Sequence, residues 1–194
     1  MTRRRAILFD RDGVLNEQVL INGAPGPPPD LAGYRLLPTA LAAVERARTL
    51  GYAIAVVTNQ PDVGRGLITR QSVERIHSWL GEQAPAIERI YVCYHVTADR
   101  CRCRKPAPGM LEDAAVDLGL DLAHSWLIGD RWVDILAAQR AGCRSVLVET
   151  FQSWLPSSAG DPPADLRPTI TVPDTLSAVV AIAEADRLPT DGSP

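Results

Sequence analysis

The chain has 194 residues, a formal charge of −3 and 46% hydrophobic residues. That is enough apolar material for one sizeable core, and too little positive charge to mark a binder of nucleic acid or of an anionic membrane. The basic tract Arg3-Arg4-Arg5 precedes an apolar run that Asp10 cuts short, and no run approaches the length of a membrane span, so neither a signal peptide nor an anchor is expected. The reading is a cytoplasmic protein with one domain over residues 1–187 and a disordered tail over 188–194, without nucleic-acid or membrane partners and monomeric.

Residues 6–9 read Ala-Ile-Leu-Phe and run directly into Asp10, Arg11, Asp12 and Gly13. A short continuous apolar run suits a strand buried on both faces. Alternation along an extended chain places Asp10 and Asp12 on one side with Arg11 turned away, while Gly13 permits a sharp turn and close approach to a ligand. Two carboxylates that close are costly unless a cation lies between them or one holds a proton. The plain alternative is a solvated turn, since Asp and Gly are common turn residues.

Residues 17–37 are too rich in Pro and Gly for a helix or central strand and should form a flap over the site. Thr39 is placed to cap a helix with Leu41, Val44, Ala47 and Leu50 inward and Gly51 after its end. A second buried strand, residues 53–57, ends in Thr58-Asn59-Gln60. The loop over residues 61–66 follows, where Arg65 between two glycines could grip an anion. The next helix carries Val73, Ile76 and Leu80 on one face; His77 beside them reads as a packed or exposed helix residue rather than a ligand.

A short strand at residues 90–92 delivers Cys93 and His95, and five residues later come Cys101 and Cys103. Three sulfurs and one imidazole at this spacing are the donor set of a closed, tetrahedral structural zinc site over residues 93–103, the alternative being free thiols and a loop histidine. Such a zinc would build the loop and leave the chemistry to the residues it leads into, Arg104 and Lys105. Pro108 opens a helix with Met110, Leu111, Ala114, Ala115 and Leu118 inward and Gly119 behind. A third buried strand, residues 126–128, ends in Gly129-Asp130, with Asp134 one turn further on and Ile135, Leu136 and Ala138 marking a helix. Cys143 should pack quietly. Residues 145–148 form another strand, residues 156–168 a Pro-rich surface loop and residues 169–172 an edge strand. Asp174 caps a last helix with Leu176, Val179, Val180 and Ala183 inward. Strands alternating with helices predict an α/β fold with a mainly parallel sheet, whose ligands gather at the carboxyl ends of the strands.

In order and spacing these stations resemble the four motifs of the haloacid dehalogenase (HAD) superfamily of phosphohydrolases: Asp10-x-Asp12-Gly13, Thr58-Asn59, Lys105 and Gly129-Asp130-x-x-x-Asp134. The resemblance implies a Rossmann-like three-layer α/β/α fold, and residues 17–37 are too short for a large cap domain. It implies Asp10 as a nucleophile forming an aspartyl-phosphate and Asp12 as general acid and then base. Thr58 and Asn59 would be donors to phosphate oxygens and Lys105 the neutralising cation. Mg2+ would be held by Asp10, the backbone carbonyl of Asp12 and Asp130. Asp134 would orient Lys105 or a metal water, or be no more than a first-turn acid favoured by the helix dipole.

The zinc loop running into Arg-Lys-Pro resembles two capless branches, the heptose-bisphosphate 7-phosphatases and the histidinol phosphatases. Asn16, Gly64-Arg65-Gly66 and Pro108-Gly109-Met110 favour the first. A small phosphorylated sugar is then the implied substrate, met by Asn16, Gln60, Arg65 and Arg104. The two arginines would hold its non-reacting phosphate or, alternatively, form surface ion pairs. Pro61-Asp62 in place of the branch's usual Ser-Gly, and a flap without its Gly-Tyr-Val, are departures that bear on the sugar. A silent zinc-stabilised binding module is disfavoured by the complete catalytic set, and a polynucleotide phosphatase by the missing basic track.

Overall fold

The computed structural model describes residues 3–21 and 24–187; the tail expected to be disordered lies outside the described residues. Among those residues the strands are β1 (Ala6–Phe9), β2 (Val19–Ile21), β3 (Ala24–Gly26), β4 (Ala53–Asn59), β5 (Arg89–Cys93), β6 (Trp126–Gly129), β7 (Arg144–Val148) and β8 (Ile170–Val172). The α-helices are α1 (Ala40–Thr49), α2 (Pro61–Gly64), α3 (Arg70–Gln83), α4 (Gly109–Leu118), α5 (Trp132–Arg140) and α6 (Thr175–Ala185). Six strands form a parallel sheet in the order β5-β4-β1-β6-β7-β8, and β2 and β3 pair apart from it as an antiparallel hairpin within the flap.

The sheet is buried on both faces, which explains the unbroken apolar runs of β1, β4 and β6. Ile7, Phe9, Ile54 and Val56 pack against α1, α6 and the end of α3. Ala6, Leu8, Ala55 and Val57 face α4 and α5 on the other side. These are the α/β/α layers of a Rossmann-like fold. Gly51 and Gly119 follow α1 and α4 with positive φ, as the helix-end pattern predicts.

Several local expectations are corrected. Leu41 and Val180, expected inward, are 41% and 42% exposed. The buried stripe of α1 runs through Ala40, Ala43, Val44 and Ala47, and that of α6 through Ala178, Val179, Ile182 and Ala183, so Val44, Ala47, Val179 and Ala183 are inward as expected and only the flanking residues differ. Thr39 makes no side-chain cap, because its backbone is already helical. Asp174 does cap, its carboxylate accepting from Ser177 N–H at 2.9 Å. The segment after Gln60 begins as the one-turn α2 rather than as open loop.

Candidate active site

The chain runs outward from β1 through β4 to β5, then returns to the other flank of β1 and runs through β6 and β7 to β8. The order therefore reverses between β1 and β6, and the crevice past their carboxyl ends is where such a sheet binds ligands. Phe9 lies in register with Val56 on one side and Ile128 on the other, so Asp10, the end of β4 and Asp130 emerge together. Asp10 N–H donates to the Ile128 carbonyl at 2.8 Å. At Gly13, φ is +86° and a Cβ would collide with the Asp130 carboxylate; no other residue lets the first loop lie against the fourth.

Lys105 is the cation at the centre. The residue is 2% exposed; its ammonium forms ion pairs with Asp10 Oδ1 at 2.8 Å and Asp134 Oδ1 at 2.6 Å and donates to the Val57 carbonyl at 2.9 Å. Asp134 thus does two things at once: its Oδ1 meets Lys105, and its Oδ2 accepts from Arg131 N–H at 3.0 Å at the first turn of α5. Asn59 clamps the Lys105 backbone: its Oδ1 accepts from Lys105 N–H and its Nδ2 donates to the Lys105 carbonyl, both at 3.0 Å. That side chain, expected to reach phosphate, is committed to holding the lysine.

Carboxylate oxygens of Asp10, Asp130 and Asp134 lie within 4.8 Å of one another. Three buried acids thus face one ammonium. Burial pushes the Asp10 carboxyl up to about 7 despite the pull of Lys105, with Asp134 adding to the rise. Burial, with Asp10 and Asp134 beside it, holds Asp130 well above the usual range. Burial alone would lower the Lys105 ammonium, but the two carboxylates outweigh it and raise it. Asp130 Oδ1 is buried with no hydrogen-bond partner among the described residues. An orphaned anionic oxygen in an acid-rich pocket fits a hard divalent cation.

The raised Asp10 value has a testable sign. The folded state binds more protons than the unfolded one between about pH 4 and about 7. This group's stabilisation is therefore complete below that window and lost as pH rises through it. Urea unfolding in chelator should show a steeper decline across the window for the native protein than for Asp10→Asn. Equal slopes would contradict the shift.

Asp12 is held by a second set of donors. Its carboxylate accepts from Arg11 Nη2 at 3.0 Å, Asn16 Nδ2 at 2.9 Å and Gln60 Nε2 at 2.6 Å. Asn16 and Gln60, expected to meet substrate, are instead fully buried braces, and Gln60 also donates to Thr58 Oγ1 at 2.9 Å. Arg11, expected to turn away, folds its guanidinium back onto Asp12. It is fully buried, and its Nη1 meets His77 Nε2 at 2.9 Å. Burial, with the Arg11 charge beside it, pushes His77 down to about 4, and because a guanidinium only donates, Nε2 is the acceptor in this pair. His77 thus has a part in the site that its place on a helix stripe did not reveal.

Asp10, Asp12, Lys105 and Asp130 open into a cavity of about 380 Å3 that Arg65, Arg104 and Arg131 also line. Arg65 pairs with Asp62 at 2.7 Å, which offsets the acid that departs from the expected pattern. Arg104 Nη2 donates to Ser158 Oγ at 3.0 Å. The Pro-rich segment read as surface loop therefore dips its tip, Pro156 to Ala159, into the cavity wall. Gln18 from the flap lines it too.

Beside this cavity the four donors of the second cluster converge. Cys93 Sγ lies 3.6 Å from Cys101 Sγ and 3.2 Å from Cys103 Sγ, and His95 Nδ1 lies 3.3 Å from Cys103 Sγ. A tetrahedron with bonds of ~2.3 Å has edges of roughly 3.8 Å, so the four atoms already outline a zinc-sized cage. Cys143 stands apart, buried, its thiol donating to the Ser125 carbonyl at 3.1 Å.

A Rossmann-like sheet with an acid and lysine cluster at its switch point is a fold and site suited to phosphoryl transfer. A family model described as HAD-hydrolase-like matches residues 102–178. The D-glycero-beta-D-manno-heptose-1,7-bisphosphate 7-phosphatase of Pseudomonas aeruginosa is 34% identical over 153 residues, covering 76% of this chain and 82% of that one. The Haemophilus ducreyi protein of the same name is 30% identical over 175 residues, covering 84% and 92%. The crystal structure of the D,D-heptose 1,7-bisphosphate phosphatase of B. bronchiseptica, complexed with magnesium and phosphate, superposes with a TM-score of 0.76 at 28% identity, covering 93% of this chain and 99% of that one. The chain belongs to the HAD superfamily of hydrolases and, within it, to the family of these heptose-bisphosphate phosphatases. No described helix is long and apolar enough to cross a membrane.

Proposed function

We propose that this protein hydrolyses the 7-phosphate ester of D-glycero-D-manno-heptose 1,7-bisphosphate through an aspartyl-phosphate on Asp10. The observation that carries this reading is the distribution of charge in one cavity. Its buried part holds Asp10, Lys105 and Asp130, and its more exposed part holds Arg65 and Arg104. Two anion sites in one pocket suit a bisphosphate. The names of the relatives that match three quarters of the chain supply the sugar.

In the first step an Asp10 carboxylate oxygen attacks phosphorus, while Asp12, fixed by Arg11, Asn16 and Gln60, gives a proton to the departing sugar oxygen. Asp12, now a base, takes a proton from water. The water oxygen bonds to phosphorus, and Asp10 leaves as carboxylate with release of inorganic phosphate. Lys105 offsets charge on the equatorial oxygens in both steps, and the Thr58 hydroxyl is the donor beside it. Asp10, the backbone carbonyl of Asp12 and Asp130 would hold Mg2+, which when bound supplies further charge neutralisation at the phosphoryl group. Asp134 keeps Lys105 turned toward Asp10.

Phosphate release from the heptose bisphosphate, the heptose 7-monophosphate and histidinol phosphate, each with Mg2+ and with chelator, tests the assignment. The expected result is Mg2+-dependent release from the bisphosphate with the 1-phosphate retained, and a higher KM for the monophosphate because Arg65 and Arg104 lose their partner. Faster release from histidinol phosphate, or none from the bisphosphate, would overturn it.

Zinc in the Cys93, His95, Cys101 and Cys103 cage is the second metal of the proposal, with a structural task. Elemental analysis should find one zinc per chain, and Cys101→Ser should lose it. Melting should then fall by roughly 5–15 °C, at about 2–4 °C per kcal/mol for a chain of this size. A zinc-free native protein with unchanged melting would contradict this.

A further inference from the structure

The two oxygens of Asp130 have different surroundings. Oδ2 accepts from Gln18 Nε2 at 3.1 Å, whereas Oδ1 is buried without a hydrogen-bond partner among the described residues. Gln18 Oε1 in turn accepts from Gln152 Nε2 at 3.0 Å. Gln18 sits in the flap just before β2. Gln152, 9% exposed, sits in the turn after β7, where its N–H donates to Thr150 Oγ1 at 3.2 Å. The next residue, Ser153, is fully buried, and its carbonyl accepts from Trp132 N–H at 2.9 Å at the start of α5. Chemistry fixes the direction of this chain of amides. The ionised carboxylate that a cation requires only accepts, so Gln18 must turn its NH2 to Asp130, which leaves its carbonyl for the NH2 of Gln152.

We propose that Gln152 and Gln18 are positioning residues: a two-amide relay that ties down one oxygen of Asp130 and so presents the other to the divalent cation. The proposal rests on the reading of Asp10 and Asp130 as that cation's ligands. Neither glutamine touches the reacting atoms. Their effect passes through the orientation of Asp130, and it makes cation affinity depend on the flap and on the turn after β7. Outer partners of metal ligands typically change metal affinity about 10–100-fold when removed.

The test is calorimetric titration of the substrate-free protein with MgCl2 at neutral pH, using the native chain, Gln18→Leu, Gln152→Leu, Gln152→Glu and Asp130→Asn. The relay predicts a Kd for Mg2+ raised about 10–100-fold in Gln18→Leu and by a smaller factor in Gln152→Leu. Gln152→Glu is the sharper variant, because it keeps the shape and removes the donor. Its carboxylate draws the NH2 of Gln18 toward itself and turns the Gln18 carbonyl onto Asp130, so this variant should bind Mg2+ more weakly than Gln152→Leu. A packing role alone predicts the reverse order, and that order would overturn the relay even if Gln18→Leu failed to fold. Unchanged Mg2+ affinity in the glutamine variants, with loss in Asp130→Asn, also overturns the relay while sparing the metal site. A native chain that binds no Mg2+, or an Asp130→Asn that binds it equally well, would remove the metal site itself.

Discussion

Asp10→Asn should abolish phosphate release, with kcat reduced by about 10^4-fold or more, the scale seen when a nucleophile is removed from a cooperating set of residues. The amide keeps the side chain's volume, and it relieves the crowding of three buried acids around Lys105. The variant should therefore fold at least as well as the native protein in chelator. Steady-state phosphate release together with melting separates the two effects. A folded Asp10→Asn protein retaining more than about a hundredth of native kcat would mean that another group attacks phosphorus.

Lys105→Met should damage both stability and turnover. The methionine fills the same space but leaves Asp10 and Asp134 without their shared cation, and it strands the Val57 carbonyl. Removing one partner of a buried ion pair costs about 3–5 kcal/mol, which at about 2–4 °C per kcal/mol lowers melting by roughly 6–20 °C. The deficit should shrink as pH falls and the stranded carboxylates take up protons. Turnover should drop by at least ~10^2-fold, since charge on the transferring group loses a preorganised donor. A deficit independent of pH would point to altered packing and not to lost charge.

How much of this was legible in the sequence follows from how the information is stored. Asp10 and Asp12, Thr58 and Asn59, Arg104 and Lys105, and Gly129 and Asp130 each sit directly behind an apolar run or before a helix, so local pattern carries both the element and the chemistry at its end. The zinc cage is legible for the same reason, its four donors lying within eleven residues. The braces were not legible. Gln152 meets Gln18 across 134 positions, Gln18 meets Asp130 across 112, and His77 meets Arg11 across 66. No composition or period marks such pairs. Asn16, Asn59 and Gln60 show a different limit: their motif positions place them at the site but do not say whether an amide faces the ligand or a neighbouring side chain. Leu41 and Val180 lie off the buried stripe because α1 and α6 carry apolar residues on more than one face, so periodicity alone does not choose the stripe. The Pro-rich composition of residues 156–168 marks a loop and is silent about where its tip lies.

The most direct test of the central claim is to quench a single turnover of the heptose bisphosphate in acid, reduce the protein with borohydride and locate the modified residue by mass spectrometry. A phosphoryl group passed to the Asp10 carboxylate leaves an acyl phosphate that reduction converts to homoserine, and the mechanism predicts homoserine at position 10 and at no other acid. Turnover in the same sample without homoserine at position 10, or with it at Asp12 or Asp130, would contradict the account.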